Sequence, residues 1–423
     1  MDYLLEHKQS AAAFTRTSLI MLVTLLLGET TINFIDRQVV SVLAPTLQSE
    51  FHLSNGAYAA IVNAFQITYA ISYMFAGWIL DRLGVGRGLT LAISWWSGVG
   101  MLTSFARGPL SLGFFRSLLA VGEAGAWPAF VKAVSLWIPK EARTLAIGVC
   151  NSGSSLGAMI APPMVAWVTA RAGWRSAFVA TGVLGFLWVA AFSMFRRLHP
   201  QMARTDRIVA TDAAAGLAWR RLLAYRQTWA VVCCRFLADP LWFFYVFWIP
   251  AFLSRERGLN LAAIGTVAWI LFLIADVSNL TGGYLALRLL RRGWTVNRTR
   301  KTMMAAAALI SPVGIFAVFA HSLFWTIGLI GVAIFFWMWW SISVHSLPGD
   351  YFPAGAVASV YGIGGTGSTV GSVISTWAVG KTLDITHSYA PVFVGIGVLM
   401  PVAMVVGFWL MRRVEPVGLG EVR

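Results

Sequence analysis

Long apolar stretches almost free of charge recur along this chain from end to end, each about as long as the roughly 20 residues a helix needs to cross a bilayer. Inside hydrocarbon the backbone must satisfy its own hydrogen bonds, which leaves helices or a closed barrel. Barrel strands alternate in polarity and run about 10 residues. These stretches are longer and continuously apolar, so helices are expected. Apolar residues make up 58% of the chain and charged ones 12%, against about 25% charged in a soluble domain. Twelve segments are expected, at 18–46, 56–79, 88–106, 110–137, 144–169, 175–195, 228–253, 262–287, 302–320, 323–347, 355–380 and 390–411. The longest polar stretch, 196–227, divides them six and six. The expected fold is an all-α membrane protein of two six-helix bundles, 1–195 and 228–423, joined by a cytoplasmic linker at 196–227.

Charge sets the orientation. With the N-terminus inside, 22 of the 32 Lys and Arg fall on the cytoplasmic side, 6 on the opposite side and 4 within helices. By the positive-inside rule that bias places both termini in the cytoplasm. The net charge of +15 then follows from topology and from attraction to anionic lipid heads, and no nucleic-acid partner is needed to explain it. Cys150, Cys233 and Cys234 all fall in expected helices, which gives no disulfide framework and no C-x-x-C metal spacing. The first apolar stretch is too long for a signal-peptide core and is expected to stay in the mature protein.

No loop is long enough for a soluble domain, and there is no phosphate-binding loop, metal pair or nucleophile elbow. Enzyme, cofactor and metal functions are therefore not expected. The glycines at 362, 364, 365 and 367 lie in an apolar helix with no preceding strand, where close helix packing explains them. The unusual feature is charge within the lipid-spanning segments. Each such group costs about 2.5–3.5 kcal/mol on insertion scales. The first segment holds Glu29, Asn33, Asp36 and Arg37; the fourth holds Arg116, Glu123 and Lys132. The seventh holds Arg235 and Asp239, and the eighth Asp276 and Asn279.

Helix 1 climbs outward and helix 4 descends, so Asp36–Arg37 and Arg116–Glu123 reach similar depths. Arg116 and Glu123 are two turns apart on one face, about 10.5 Å along the axis. Static ion pairs would about offset the insertion cost without gaining on apolar packing; two acids and two bases at one depth suit a switchable site better. A buried carboxylate is expensive to keep charged, which suits proton uptake and release. Arg offers a permanent planar fork for a carboxylate. For Asp239 with Arg235, at i and i+4, local pairing and a functional role are equally open. Asn33, Asn63, Gln66, Tyr69, Asn151, Ser154, Asn279 and His345 could hydrogen-bond a sugar, and Trp242, Tyr245 and Trp340 could stack on one.

The stretch Gly77-Trp-Ile-Leu-Asp81-Arg82-Leu-Gly84-Val-Gly-Arg87 resembles the loop motif of the major facilitator superfamily, G-x-x-x-D-R-x-G-x-x-R. In that family the loop is a cytoplasmic latch, so the resemblance assigns gating to Asp81, Arg82 and Arg87. In the second copy, after Gly282-Gly283, Leu287 stands where an Asp is expected. Asn33-Phe-Ile-Asp36-Arg37 and Arg116 through Glu123-Ala-Gly-Ala-Trp127-Pro128 resemble the helix 1 and helix 4 motifs of the anion:cation symporters. Asp239-Pro240 to Trp248, Ala275-Asp276 to Gly283, and Leu347-Pro348-Gly349-Asp350 resemble the hexuronate and sugar-acid transporters of that group.

The resemblance implies that Arg37 binds the substrate carboxylate, with Tyr69 facing the substrate. It gives Asp36 and Glu123 as the proton-carrying acids and Arg116 as the arginine coupled to Glu123. The expected function is proton-coupled import of a hexuronate or related sugar acid by alternating access. The protein would act as a single copy in a bacterial inner membrane, with the lipid bilayer, the sugar acid and protons as its partners. The alternatives are another organic-anion or aldonate transporter, a drug:proton antiporter of the same superfamily, and a transporter-like receptor.

Overall fold

Uninterrupted Leu, Ile, Val and Ala runs make helix the form in which this backbone can lie in an apolar medium. In the computed structural model residues 15–216, 219–259 and 261–417 are described, and every regular element among them is helical. In chain order these are α1 (Arg16–Val42), α2 (Ala44–Glu50), α3 (Asn55–Leu83), α4 (Val85–Thr103), α5 (Pro109–Glu123), α6 (Ala126–Trp137), α7 (Arg143–Ala172), α8 (Trp174–Leu198), α9 (Pro200–Gly216) and α10 (Trp219–Leu222). There follow α11 (Arg226–Arg257), α12 (Leu261–Arg291), α13 (Val296–Ile310), α14 (Leu323–Tyr351), α15 (Val357–Thr386) and α16 (Ala390–Met411). All twelve expected segments fall on helix. Nine helices among the described residues are long and apolar enough to cross a membrane.

Where the structure departs from the expected rods, the cause is local. The segment expected at 110–137 breaks into α5 and α6, because Pro128 has no N–H to return to the carbonyl of Ala124. The chain there tightens to a bond from the Gly125 N–H to the Gly122 carbonyl. The segment expected at 302–320 finishes as a 3-10 turn, Ser311–Val318, entered through Pro312. The first segment stops at Val42, and Pro45 opens the short α2. The stretch 196–227, expected as a linker, is itself largely helical, as α9 and α10.

The chain forms two compact units. One comprises Met1–Pro139, Val149–Leu217 and Ala354–Gly362; the other comprises Lys140–Gly148, Ala218–Pro353 and Ile363–Arg423. In the first, α4 packs on α8 and α3 on α5, while α1 lies against α8 and α6. A core of Val39, Val40, Leu43, Ile61, Leu112 and Phe178 joins the helices at one end. On α3, Ile67, Ile71, Phe75 and Ile79 form an exposed stripe at four-residue spacing while Tyr69, Tyr73 and Leu80 are buried. An apolar outer stripe with polar groups inside is the arrangement that a lipid solvent selects.

In the second unit α11 packs on α16, and α12 and α13 on α14. The glycine run of α15 lets that helix lie against α11; a Cβ at Gly371 would overlap the Phe236 carbonyl oxygen, as the small-residue reading expects.

Candidate functional site

The first unit gathers its buried charge around α1. At i, i+4 and i+7, Glu29, Asn33 and Asp36 share one face, and all three are buried. Arg37, about 100° round the helix, sends its Nε to Glu123 Oε2 of α5 at 2.7 Å. Its guanidinium lies 4.5 Å from the centre of the Tyr69 ring and hydrogen-bonds that side chain. The Arg37 side chain keeps 23% of its surface exposed while Glu123 keeps none, so the arginine is the accessible member of the pair.

Phe65 and Tyr69 stack at 5.8 Å, one turn apart on α3. Arg116 lies over the Phe65 ring at 4.4 Å, a cation–π contact. Its Nε and Nη1 are buried and without hydrogen-bond partners. Asp36 sits against Thr181 of α8 and Trp96 of α4, both able to donate to its carboxylate. Asn33 lies beside Glu123, with neither end of its amide in a hydrogen bond. Asn151 is buried on α7 with its Oδ1 unpaired, and the Ser154 hydroxyl donates to the Asn151 carbonyl. Gln66 and Asn63 are exposed on α3.

One expected pairing takes a different form. The resemblance couples Arg116 to Glu123 and leaves Arg37 for the substrate; the direct ion pair of Glu123 is with Arg37, while Arg116 stays within electrostatic reach of the same carboxylate. Spacing along α5 puts Arg116 and Glu123 on one face but about 10.5 Å apart along the axis, whereas α1 crosses next to Glu123.

The loop motif at 77–87 also has a partner that sequence alone did not supply. Asp81 Oδ1 accepts from Lys132 Nζ at 2.8 Å, and Lys132 is fully buried. The same carboxylate accepts the Ala358 N–H at 3.3 Å and the Ser359 N–H at 2.8 Å. These N–H groups open α15, where a helix has donors without intrahelical partners and favours an anion. Gly77 permits the approach, since a Cβ there would overlap the Ala358 carbonyl oxygen. Arg82, expected to gate by ion pairing, lies over the Trp78 ring at 4.0 Å, and Arg87 is exposed; among the described residues neither forms an ion pair.

In the second unit Arg235 Nε reaches Asp239 Oδ2 at 3.2 Å, the local pairing that the i, i+4 spacing left open, and Ser368 also donates to Asp239. His345 is buried near Arg235. Asp276 is half-buried on α12 with Asn279 buried one turn on. Trp242 stacks on Trp337 at 5.4 Å and, with the buried Tyr245, lines a small apolar cavity between α11, α12 and α14. Trp340 has no open face: it is fully enclosed and packs near Gly407. It is a core residue of this unit and not the sugar platform that its residue type suggested. The missing acid at Leu287 has a counterpart elsewhere, because buried Arg300 donates to Asp350 at 2.9 Å and to the Thr144 hydroxyl.

Sequence comparisons place these features among known proteins. The profile of the Major Facilitator Superfamily matches residues 26–376. The chain is 31% identical over 418 residues to the hexuronate transporter of Escherichia coli K12, covering 95% of each. It is 33% identical over 297 residues to the galacturonate transporter of Dickeya chrysanthemi, covering 66% of this chain and 85% of the relative. Among solved structures, the proton:xylose symporter XylE superposes with a TM-score of 0.72 at 14% identity, covering 94% of this chain and 96% of that one.

Proposed function

Because the chain belongs to the major facilitator superfamily of multi-pass membrane transporters, we propose that it is a proton-coupled symporter that imports a hexuronate or related sugar acid. The relatives named for hexuronate and galacturonate support the substrate class. In this reading the chain crosses a bacterial inner membrane twelve times with both termini in the cytoplasm. It works as a single copy by alternating access, and catalyses no covalent reaction.

The observation that carries the mechanism is the pairing of accessible Arg37 with enclosed Glu123 at 2.7 Å. A substrate carboxylate needs the same guanidinium fork. When it takes Arg37, Glu123 loses its partner in a site that water does not reach, and an unpaired buried carboxylate is costly. Binding a proton removes that cost. Anion and proton therefore load together, because one arginine cannot serve two carboxylates equally well. Asp36 is the second acid, set against Thr181 and Trp96, and its titration is coupled to that of Glu123. Arg116 balances the charge of the cluster from its seat on Phe65. Tyr69, Asn33, Gln66, Asn151 and Ser154 are the hydroxyl and amide contacts offered to the sugar in the first unit. In the second unit, taken by itself, Trp242 and Tyr245 offer aromatic faces on which a sugar could stack.

The test is uptake into proteoliposomes under an imposed pH gradient, with labelled glucuronate and galacturonate beside glucose and a cationic drug. Accumulation of the acids alone supports the reading. Accumulation of glucose, export of the drug, or acid uptake indifferent to pH would overturn it.

A further inference from the structure

Glu29 has no role in the mechanism above, and its setting is unusual. Its side chain is fully enclosed, and neither carboxylate oxygen has a hydrogen-bond partner. It lies two turns before Asp36 on the same face of α1, about 10.5 Å nearer the N-terminal end of the helix. Asn33 stands between the two, with both amide atoms buried and unpaired. Next to Glu29, Thr30 donates to the Cys150 carbonyl at 2.7 Å, which fixes this turn of α1 against α7.

The charged groups around Glu29 are Arg37 and Glu123, with the Cys150 thiol on α7. Arg37 is engaged by Glu123. Of the other helices packed on α1, α6 carries one charge, Lys132, which Asp81 holds. Those of α8 are Arg175 near its start and Arg196 and Arg197 near its end, and those of α7 are Arg143 at its start and Arg171 in its last turn. Among the described residues no cation but the engaged Arg37 stands near enough to Glu29 to favour its anion. Counting the cluster gives the same answer: Glu29, Asp36 and Glu123 face only Arg37 and Arg116, so neutrality requires one proton even before an anion binds.

We propose that Glu29 is a third proton-binding carboxylate, which holds that resident proton and releases it toward the N-terminal end of α1 when a proton taken up at Glu123 restores the charge of the cluster. This rests on the proton-coupled reading of the same site and adds a direction of release to it. Under the expected topology the route leads to the cytoplasm.

Glu29→Gln keeps the shape of the protonated acid but cannot release a proton. It should preserve exchange of labelled for unlabelled substrate, which shows that the protein folds and cycles. Net uptake driven by a pH gradient should fall about 100-fold relative to exchange, the low end of what a positioned proton carrier contributes. Glu29→Asp should recover part of it. A ratio of net uptake to exchange equal to the parent's would overturn the proposal and make Glu29 a permanently neutral packing group. Infrared titration of the parent in liposomes reads the site without transport. A carboxylic acid band that disappears in Glu29→Gln and titrates with pH supports the proposal, and absence of such a band overturns it. If the band is present while the parent shows no pH-driven uptake, the proton site stands and the symport reading falls. If the parent is pH-driven and Glu29→Gln matches it, only the present proposal fails.

Discussion

Replacing Asp81 by Asn removes one unit of charge from a site that the structure makes unusually sensitive to it. The carboxylate neutralises Lys132 at 2.8 Å, and both side chains are almost wholly enclosed. The amide can still accept one of the Ala358 and Ser359 N–H bonds, but it leaves an ammonium buried without a counter-charge. Breaking one side of such a pair costs about 3–5 kcal/mol. The lower figure already corresponds to about a 100-fold shift in a conformational equilibrium. The state in which Asp81 holds both Lys132 and the start of α15 should therefore lose most of its population, and turnover should fall with it. Substrate affinity should stay near the parent's, since Asp81 lies twelve residues beyond Tyr69 on α3, about 18 Å along the helix. Thermal unfolding in detergent, equilibrium binding of glucuronate and initial uptake rates are measured together. Asp81→Asn with Lys132→Met removes the stranded charge, and most of the lost thermal stability should return. Stability unchanged in the single variant, or no recovery in the double one, would refute the argument from the buried pair. A large loss of affinity with normal turnover would place Asp81 at the binding site.

Two further outcomes follow from neighbouring groups. Arg37→Ala should abolish hexuronate binding in calorimetry, because Arg116 is committed to the Phe65 face; near-normal affinity would remove Arg37 from the substrate site. In α9, burial pushes the Asp206 carboxyl above the usual carboxylate range, offset in part by the Gly86 N–H at 2.8 Å and by Arg196. A carboxyl raised on folding contributes stability below its unfolded value that is lost as pH rises through its folded value. Asp206→Asn keeps an acceptor for Gly86 and should flatten that part of the dependence of Tm on pH, whereas an unchanged slope would contradict it.

Much of this was readable from the amino-acid sequence because lipid imposes strong rules. Apolar runs of helix length, a charge bias between loops and acids inside apolar segments each carry a cost that a chain does not meet without cause. Asp36, Arg37, Arg116 and Glu123 were found that way, and the structure brings them together in one unit. Which arginine serves which acid was not readable. Helical spacing says that Arg116 and Glu123 share a face, but only the packed positions of the two helices decide that Glu123 meets Arg37. The partner of Asp81 was hidden for a related reason: Lys132 is 51 residues away, and no local pattern links them. Trp340 misled by type, since an aromatic ring able to stack on a sugar is equally good at filling a core. Glu29 was visible as a charge in an apolar helix, but its lack of a hydrogen-bond partner among the described residues needed the packed neighbours to be seen.

The central claim is that the substrate carboxylate and Glu123 compete for Arg37, so that a proton on Glu123 accompanies the bound anion, and Glu123→Gln tests it most directly. Glutamine resembles protonated glutamate but cannot release a proton. Two assays are run on the same proteoliposomes, exchange of labelled for unlabelled hexuronate and accumulation driven by a pH gradient. The account predicts that exchange survives in part while accumulation is lost. If Glu123→Gln still concentrates substrate against its gradient, Glu123 is a structural partner of Arg37, and the coupled proton travels by another group.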